Sequence, residues 1–257
     1  MRIKRSSWSI PYQVFLIIFV VLPLVLIALY AFQDGHGHFT FDNIVRFFSD
    51  SDSLSTFALS LEVAIENTVI CILLGYPAAW ILANKNLNRS AVTIVLFILP
   101  MWINALMRTL ATAELFNMLG ITLGKGTLIY GMVYDYLPFM IYPIYNTLSK
   151  MDKSYAEAAE DLGATPFQVF TKVTVPLSMP GVMSGVLMVF MPTVSTFAIS
   201  EFLTNNKIKL FGTIIQENIN SSMWNYGAAL AFIMLIIIGI TTLFNDEEEP
   251  ATERGIV

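Results

Sequence analysis

The chain has 257 residues, of which 56% are hydrophobic and only 13% charged. A soluble domain carries about twice that charged fraction, so a water-soluble fold is excluded and an integral membrane protein is implied. The net charge of -5 owes much to one acidic run, Asp246, Glu247, Glu248 and Glu249, and gives no reason to expect a nucleic-acid partner.

The first apolar stretch, 10–32, follows Arg2, Lys4 and Arg5. It is too long for a secretion signal and lacks a small-x-small cleavage site. It is predicted to be a first transmembrane helix with its basic end in the cytoplasm. The tract 33–55 is polar and expected outside; its His36 and His38 share a Gly-rich loop and suit solvated turn positions. Further spans are expected at about 58–83, with Pro77 as a kink, then 91–116, 127–148, 181–202 and 226–244, since about 20 apolar residues cross a bilayer. Lys85 and Arg89 put the 84–90 loop inside by the positive-inside rule. The reading is an all-α integral membrane protein: one domain over 1–257, six transmembrane helices and both termini cytoplasmic. The lone cysteine, Cys71, leaves no room for an intrachain disulfide or a Cys-based metal site.

The polar interval 154–179 separates two strongly apolar blocks and predicts a two-helix knuckle, placed in the cytoplasm by span parity within a loop at 150–180. Ser154 and Glu157 have capping-box spacing. A short helix should follow through Leu162 and stop at Gly163, which tolerates a left-handed backbone. Thr165 then serves as a fresh N-cap and Pro166 as a first helical residue. Pro176 and Pro180 are expected to stop that second helix before the next apolar block.

Charges inside the spans are costly unless paired or wetted. Arg108 and Asp135 lie at matching depths in the third and fourth spans, Arg108 about nine residues or about 13 Å from a span end. Either they form a structural pair, or Asp135 offers a cation site. Glu62 and Glu66 suit a solvated helix end, and Glu114 an exposed surface. Glu201 faces either headgroups or a central vestibule. Trp224 and Tyr226 fit an interfacial belt, whereas Trp102 is deeper than a belt residue and suggests packing or a pathway. No phosphate-binding Gly-rich loop with Lys occurs, so the chain is not expected to be its own ATPase. No His/Cys cluster or Ser/His/Asp set presents itself.

The knuckle carries a recognisable signature. Glu157, Ala158 and Ala159, then Gly163, then Val173, Val175 and Pro176 fall at the spacing E-A-A, three residues, G, nine residues, I-x-L-P. In this it resembles membrane subunits of ATP-binding-cassette importers, with valine replacing isoleucine and leucine. From about Leu99 onward it is similar to the spermidine/putrescine branch. The residues that carry this are Pro100, Trp102, Asn104 and Arg108; Tyr134, Leu137, Pro138 and Pro143; Pro176, Pro180 and Gly181; Ser200, Glu201 and Leu203; and Trp224, Tyr226 and Gly227.

The resemblance implies a permease subunit in the bacterial cytoplasmic membrane. It implies a second related permease, two copies of a cytoplasmic ATPase and an extracytoplasmic polyamine-binding protein as partners. It also implies that ATP and Mg belong to the ATPase and that this chain binds no cofactor. Glu157, Ala158, Ala159, Gly163, Phe167 and Pro176 become the ATPase-coupling residues, with Leu162 and Phe170 completing an apolar docking face. Glu201 and Trp102 lead the substrate-pathway candidates, joined by Asp135 and Tyr226, because acids and aromatic faces suit ammonium groups. The alternatives are an importer of another small solute (iron, an organic cation or an anion) and a secondary transporter. The latter would want an inverted repeat, and no convincing one is visible.

Overall fold

The structure is a computed structural model that describes residues 10–84 and 92–246. The basic N-terminus, Lys85, Arg89 and the acidic run 247–249 lie outside the described residues. Every regular element described is helical, and the chain divides into two compact units, Met1–Thr56 with Ile214–Gly239 and Phe57–Thr213 with Ile240–Val257.

The first unit opens with α1 (Ile10–Leu16), a π turn (Ile17–Val21) and α2 (Leu22–Ala31). This segment has a mean hydropathy of 3.1 and is almost wholly unburied, as a lipid-facing helix should be. Asn43, on α3 (Asp42–Ser49), donates to the Ala31 and Gln33 carbonyls at 3.1 and 2.8 Å, satisfying acceptors left by the end of α2. Between α2 and α3, the Asp34 carboxylate accepts the His36 and His38 N–H groups at 2.8 and 2.9 Å. The histidines therefore sit in a turn built by Asp34.

The second unit contains most of α4 (Ser51–Ala83), then α5 (Val92–Ile98), α6 (Ala105–Met118), α7 (Lys125–Lys150), α8 (Ser154–Asp161), α9 (Pro166–Val169), α10 (Val175–Ser195) and α11 (Ala198–Thr204). The unit boundary falls inside α12 (Phe211–Asn220), and α13 (Trp224–Asp246) closes the described chain. Two apolar clusters form its core, one around Leu128, Met132 and Leu203, the other around Cys71, Met140 and Ile144. The α7–α10 contact is close because Gly181 and Gly185 lie against Pro143, Thr147 and Met140, where a Cβ would collide. A buried Asn67 donates to Thr193 Oγ1 at 2.8 Å.

Among the described residues, three helical runs are long and apolar enough to cross a membrane: Pro11–Ala31, Ser51–Ala83 and Pro166–Ser195. The third expected span is not one rod. Val92–Trp102 and Ala105–Met118 meet at 91°. The cause is local: Pro100 withholds a helical N–H, and Asn104 caps a new helix by accepting the Leu106 and Met107 N–H groups at 2.9 and 3.4 Å. Within α7, which has 26 residues, Asp135, Pro138 and Pro143 dilute the apolar character. The described fold is that of an all-α membrane protein.

Candidate coupling and pathway sites

The knuckle starts one step earlier than its capping-box spacing suggested. Ser154 is the first residue of α8 rather than its cap, and its N–H goes to Asp152 Oδ1 at 3.0 Å. That bond holds the Asp152 carboxyl below the usual range. The Ser154–Glu157 box does not form, because an aspartate two residues upstream reaches the same donor first. Glu157 is therefore exposed and uncommitted to the cap.

Gly163 ends the first helix at φ 83°, in the left-handed region. Its N–H goes to Glu160 O at 2.8 Å. Thr165 then caps α9, with Gln168 N–H on Thr165 Oγ1 at 3.4 Å and Thr165 N–H on Gln168 Oε1 at 2.9 Å. Pro166 occupies the first turn.

Contrary to the sequence-based expectation, Pro176 and Pro180 do not stop the second helix. The run continues through a π turn, Phe170–Thr174, into α10. A proline ring clashes with the carbonyl four residues before it, and the wider turn ahead of Pro176 relieves that clash. Ser184 Oγ donates to Pro180 O at 2.9 Å, and Ser195 Oγ to Pro192 O at 3.3 Å. These are ordinary back-bonds from helical serines to the preceding turn.

Large apolar side chains face outward from α8, α9 and the turn between them: Tyr155, Leu162 at 90% exposure, and Phe167 at 74%. Ala158 and Pro176 are exposed and Ala159 half-buried beside them. Phe170 departs from its expected docking role. Its ring lies edge-on to Tyr76 and Trp80 of α4, with centroids at 6.0 and 5.9 Å.

Arg108 and Asp135 come together. Arg108 Nη2 is 3.0 Å from Asp135 Oδ1, with side chains 5% and 2% exposed. That is a charge contact rather than a directed hydrogen bond, since Asp135 Oδ1 and Arg108 Nε have no hydrogen-bond partner among the described residues. The directed bonds go elsewhere. Arg108 Nη1 donates to Pro100 O at 2.8 Å, and Thr109 Oγ1 to Asp135 Oδ2 at 3.1 Å. Arg108 also borders a cavity of about 480 Å³ walled by Met107, Leu115, Tyr130 and Tyr134. With its carboxylate enclosed by Arg108 and Thr109, Asp135 presents no free face to an ammonium group.

Trp102 ends the short turn before the 91° bend and is 86% exposed, so it is not packed within this chain. Glu201 lies half-buried in the first turn of α11; among the described residues no ion pair reaches it. Tyr226 is different from the expectation: it is 5% exposed, its hydroxyl is 3.1 Å from Ser53 Oγ, and the Arg46 guanidinium covers its ring at 4.2 Å. It is packing for the first unit.

Glu62 and Glu66 do stand at an exposed helix surface, where Lys125 Nζ bridges them at 2.7 and 2.9 Å. Glu114 is exposed as well. Sequence reasoning missed Lys125, the Asn67–Thr193 bond and the inward turn of Phe170. The signal available was Asn67, a lone amide in an apolar run.

The described residues thus form an all-α membrane fold with a two-helix knuckle, turned at Gly163, between α7 and α10. The chain belongs to the family of binding-protein-dependent transport system inner membrane components, whose model matches residues 2–247. It is 33% identical over 252 residues to the spermidine/putrescine transport system permease protein PotB of Escherichia coli, covering 89% of this chain and 91% of the relative. The Haemophilus influenzae PotB is 31% identical over 249 residues, covering 88% and 87%. Among solved structures, a bacterial ABC transporter involved in the import of the acidic polysaccharide alginate aligns with a TM-score of 0.70 at 18% identity, over 97% of this chain and all of the other. The MetNI methionine ABC transporter in an inward-facing conformation gives 0.61 at 16% identity, over 76% and 93%. These two likenesses are to the fold alone.

Proposed function

We propose that the chain is the permease subunit of an ATP-driven importer and forms half of a translocation pathway for polyamines. The observation that carries the substrate is its likeness to the spermidine/putrescine permeases along nearly its full length. The knuckle supports the coupling role: small Ala158 and Ala159 allow close backbone approach, while exposed Leu162 and Phe167 offer an apolar face to a groove. Glu157, freed from capping, adds an exposed charge.

In this reading the chain has six spans and cytoplasmic termini, with the bent α5–α6 pair counted as one crossing. It pairs with a second permease, two copies of an ATPase and an extracytoplasmic binding protein. ATP and Mg are held by the ATPase, and this chain binds no cofactor and hydrolyses nothing. Closure of the ATPase pair rotates the two permease halves between discrete states. Glu201 and Trp102 line the route, the carboxylate for an ammonium group and the indole as an aromatic wall. Asp135 serves the structural pair instead.

The test is uptake of radiolabelled putrescine and spermidine by the reconstituted assembly, with and without ATP. Uptake should require ATP and be competed by either unlabelled polyamine. Competition by an iron chelate or an anion alone would overturn the polyamine assignment. Uptake without the ATPase would overturn the importer.

A further inference from the structure

We infer that Phe170 is the positioning residue through which the knuckle moves α4, an inference that rests on the proposed docking of the knuckle onto an ATPase. The knuckle has two aromatic faces. Phe167 is exposed, as a docking residue needs to be. Phe170, the first residue of the π turn, is half-buried and turned into α4. Its ring is received by Tyr76 and Trp80, at interplanar angles of 79° and 82°. Those two residues are one turn apart on the same side of α4, so together they form a notch and Phe170 is its key.

The notch is tied to the helix beyond the knuckle as well. The Tyr76 hydroxyl is 2.8 Å from Ser178 Oγ, and Ser178 is fully buried. Tyr76 thus touches the first residue of the Phe170–Thr174 π turn and the helix beyond it. A π turn inside an α-helix is a site of local slack; bracketing by Tyr76 keeps that slack from absorbing a displacement. Next to Tyr76, Pro77 leaves the Leu73 carbonyl without its helical donor, which makes this point of α4 able to bend.

A push on the knuckle therefore has two exits. One is the backbone into α10, and the other is the Phe170 ring into α4 at its proline. An apolar packing residue with no mechanical task would need neither the bracketing hydroxyl nor a proline beside it.

The test uses the complete assembly in proteoliposomes, with ATP hydrolysis and radiolabelled putrescine uptake measured together. Phe170→Ala and Phe170→Leu should recover the ATPase at wild-type yield while uptake per ATP hydrolysed falls roughly three- to thirtyfold, the range that mutations along a coupling route produce. Phe170→Trp, which keeps an aromatic edge, should restore most of it. Wild-type uptake per ATP in both Phe170→Ala and Phe170→Leu would overturn the inference. So would loss of ATPase in proportion to uptake, which would put the ring on the docking face.

A covalent rescue removes dependence on packing tolerance. In a Cys71→Ala background, the Trp80→Cys/Phe170→Cys double variant should couple poorly when reduced and recover when the two thiols are bridged by a short bifunctional reagent. Bridging that leaves coupling low would overturn the inference. Phe167→Ala is run alongside. ATPase recovered with it at full yield would remove the docking reading, while uptake per ATP in the Phe170 variants still measures the Phe170 contact with α4.

Discussion

The Arg108 guanidinium donates to the Pro100 carbonyl at 2.8 Å, across the 91° bend that breaks the third apolar helix. One cation thereby closes the break and ties both halves to Asp135 on α7. The bend leaves carbonyls without helical donors, and in hydrocarbon such a group is costly. Arg108 answers that need, and Asp135 answers the charge of Arg108.

Removing one member of this pair should therefore cost more than removing both. A buried charge left alone costs about 3–5 kcal/mol. Arg108→Met and Asp135→Leu should each sharply reduce folded, membrane-inserted protein. The double variant should regain much of it, but not all, since the Pro100 carbonyl also loses its donor. Monodispersity and thermal melting in detergent measure this. Singles that behave like wild type, or a double that adds their losses, would contradict it.

The knuckle allows a backbone test. Gly163 has φ 83° and donates its N–H to Glu160. Proline there forces the wrong φ and removes the donor, so Gly163→Pro should abolish coupled uptake and leave insertion intact. Gly163→Ala should be milder, at about 1–2 kcal/mol of local strain. Because Glu157 makes no cap, Glu157→Gln should leave helix α8 unchanged by amide exchange; any loss of ATPase recovery then belongs to the missing charge. A Glu157→Lys variant that binds ATPase and transports normally would remove the docking role.

Helix packing between α7 and α10 predicts a sharp contrast among glycines. A Cβ on Gly185 would meet Met140 Sδ at 2.7 Å and the Met140 carbonyl at 3.2 Å, whereas one on Gly239 meets nothing within 4 Å. Overpacking costs about 1–3 kcal/mol, so Gly185→Val should lower the melting temperature and Gly239→Val should not. Equal effects would mean the two helices do not meet this way.

The Asp34 turn makes a pH prediction. Its carboxylate accepts two backbone N–H groups, and the His38 and His36 bonds outweigh the opposing effect of burial to hold its pKa below the ordinary value. A depressed carboxylate stabilises the fold above its unfolded pKa of about 4, and the contribution is lost as pH falls through the lower folded value. The His36 and His38 amides should therefore stay protected from exchange at pH 5 and lose protection only once pH has fallen past the ordinary carboxylate value of about 4. Asp34→Asn should remove that pH dependence.

Much of this was legible in the residues because the signals are local or strictly positional. Thr165 followed by Pro166 states a helix start, Gly163 states a stop, and matched depth singles out Arg108 and Asp135 as candidate partners. What escaped depended on competition between neighbours. Ser154 lost its capping role to Asp152, and Pro176 was absorbed by a widened turn. Pro100 and Asn104 broke a span whose hydropathy is continuous. Tyr226 was expected at a pathway and is packed under Arg46, since a one-dimensional pattern does not say which side of a helix is already covered.

Glu201 is the sharpest test of the substrate. It is half-buried at the start of α11, with no ion pair among the described residues, while α11 packs on α6 and α7. Thr127 Oγ1 donates to the Leu203 carbonyl at 2.7 Å, and Leu203 lies against Gly131, so the helix that carries Glu201 is firmly held. A carboxylate fixed on a rigid element and left without a cation suits an ammonium group, with exposed Trp102 available as an aromatic surface. Glu201→Gln keeps size and hydrogen bonding and removes only the charge. Putrescine uptake should fall roughly ten- to a hundredfold, since a charge-assisted hydrogen bond is worth roughly 1.5–3 kcal/mol, with protein yield and basal ATPase unchanged. Glu201→Asp, which keeps the charge, should retain more uptake than Gln. A headgroup-facing carboxylate would be indifferent to both changes, and wild-type uptake in Glu201→Gln would take this residue off the pathway.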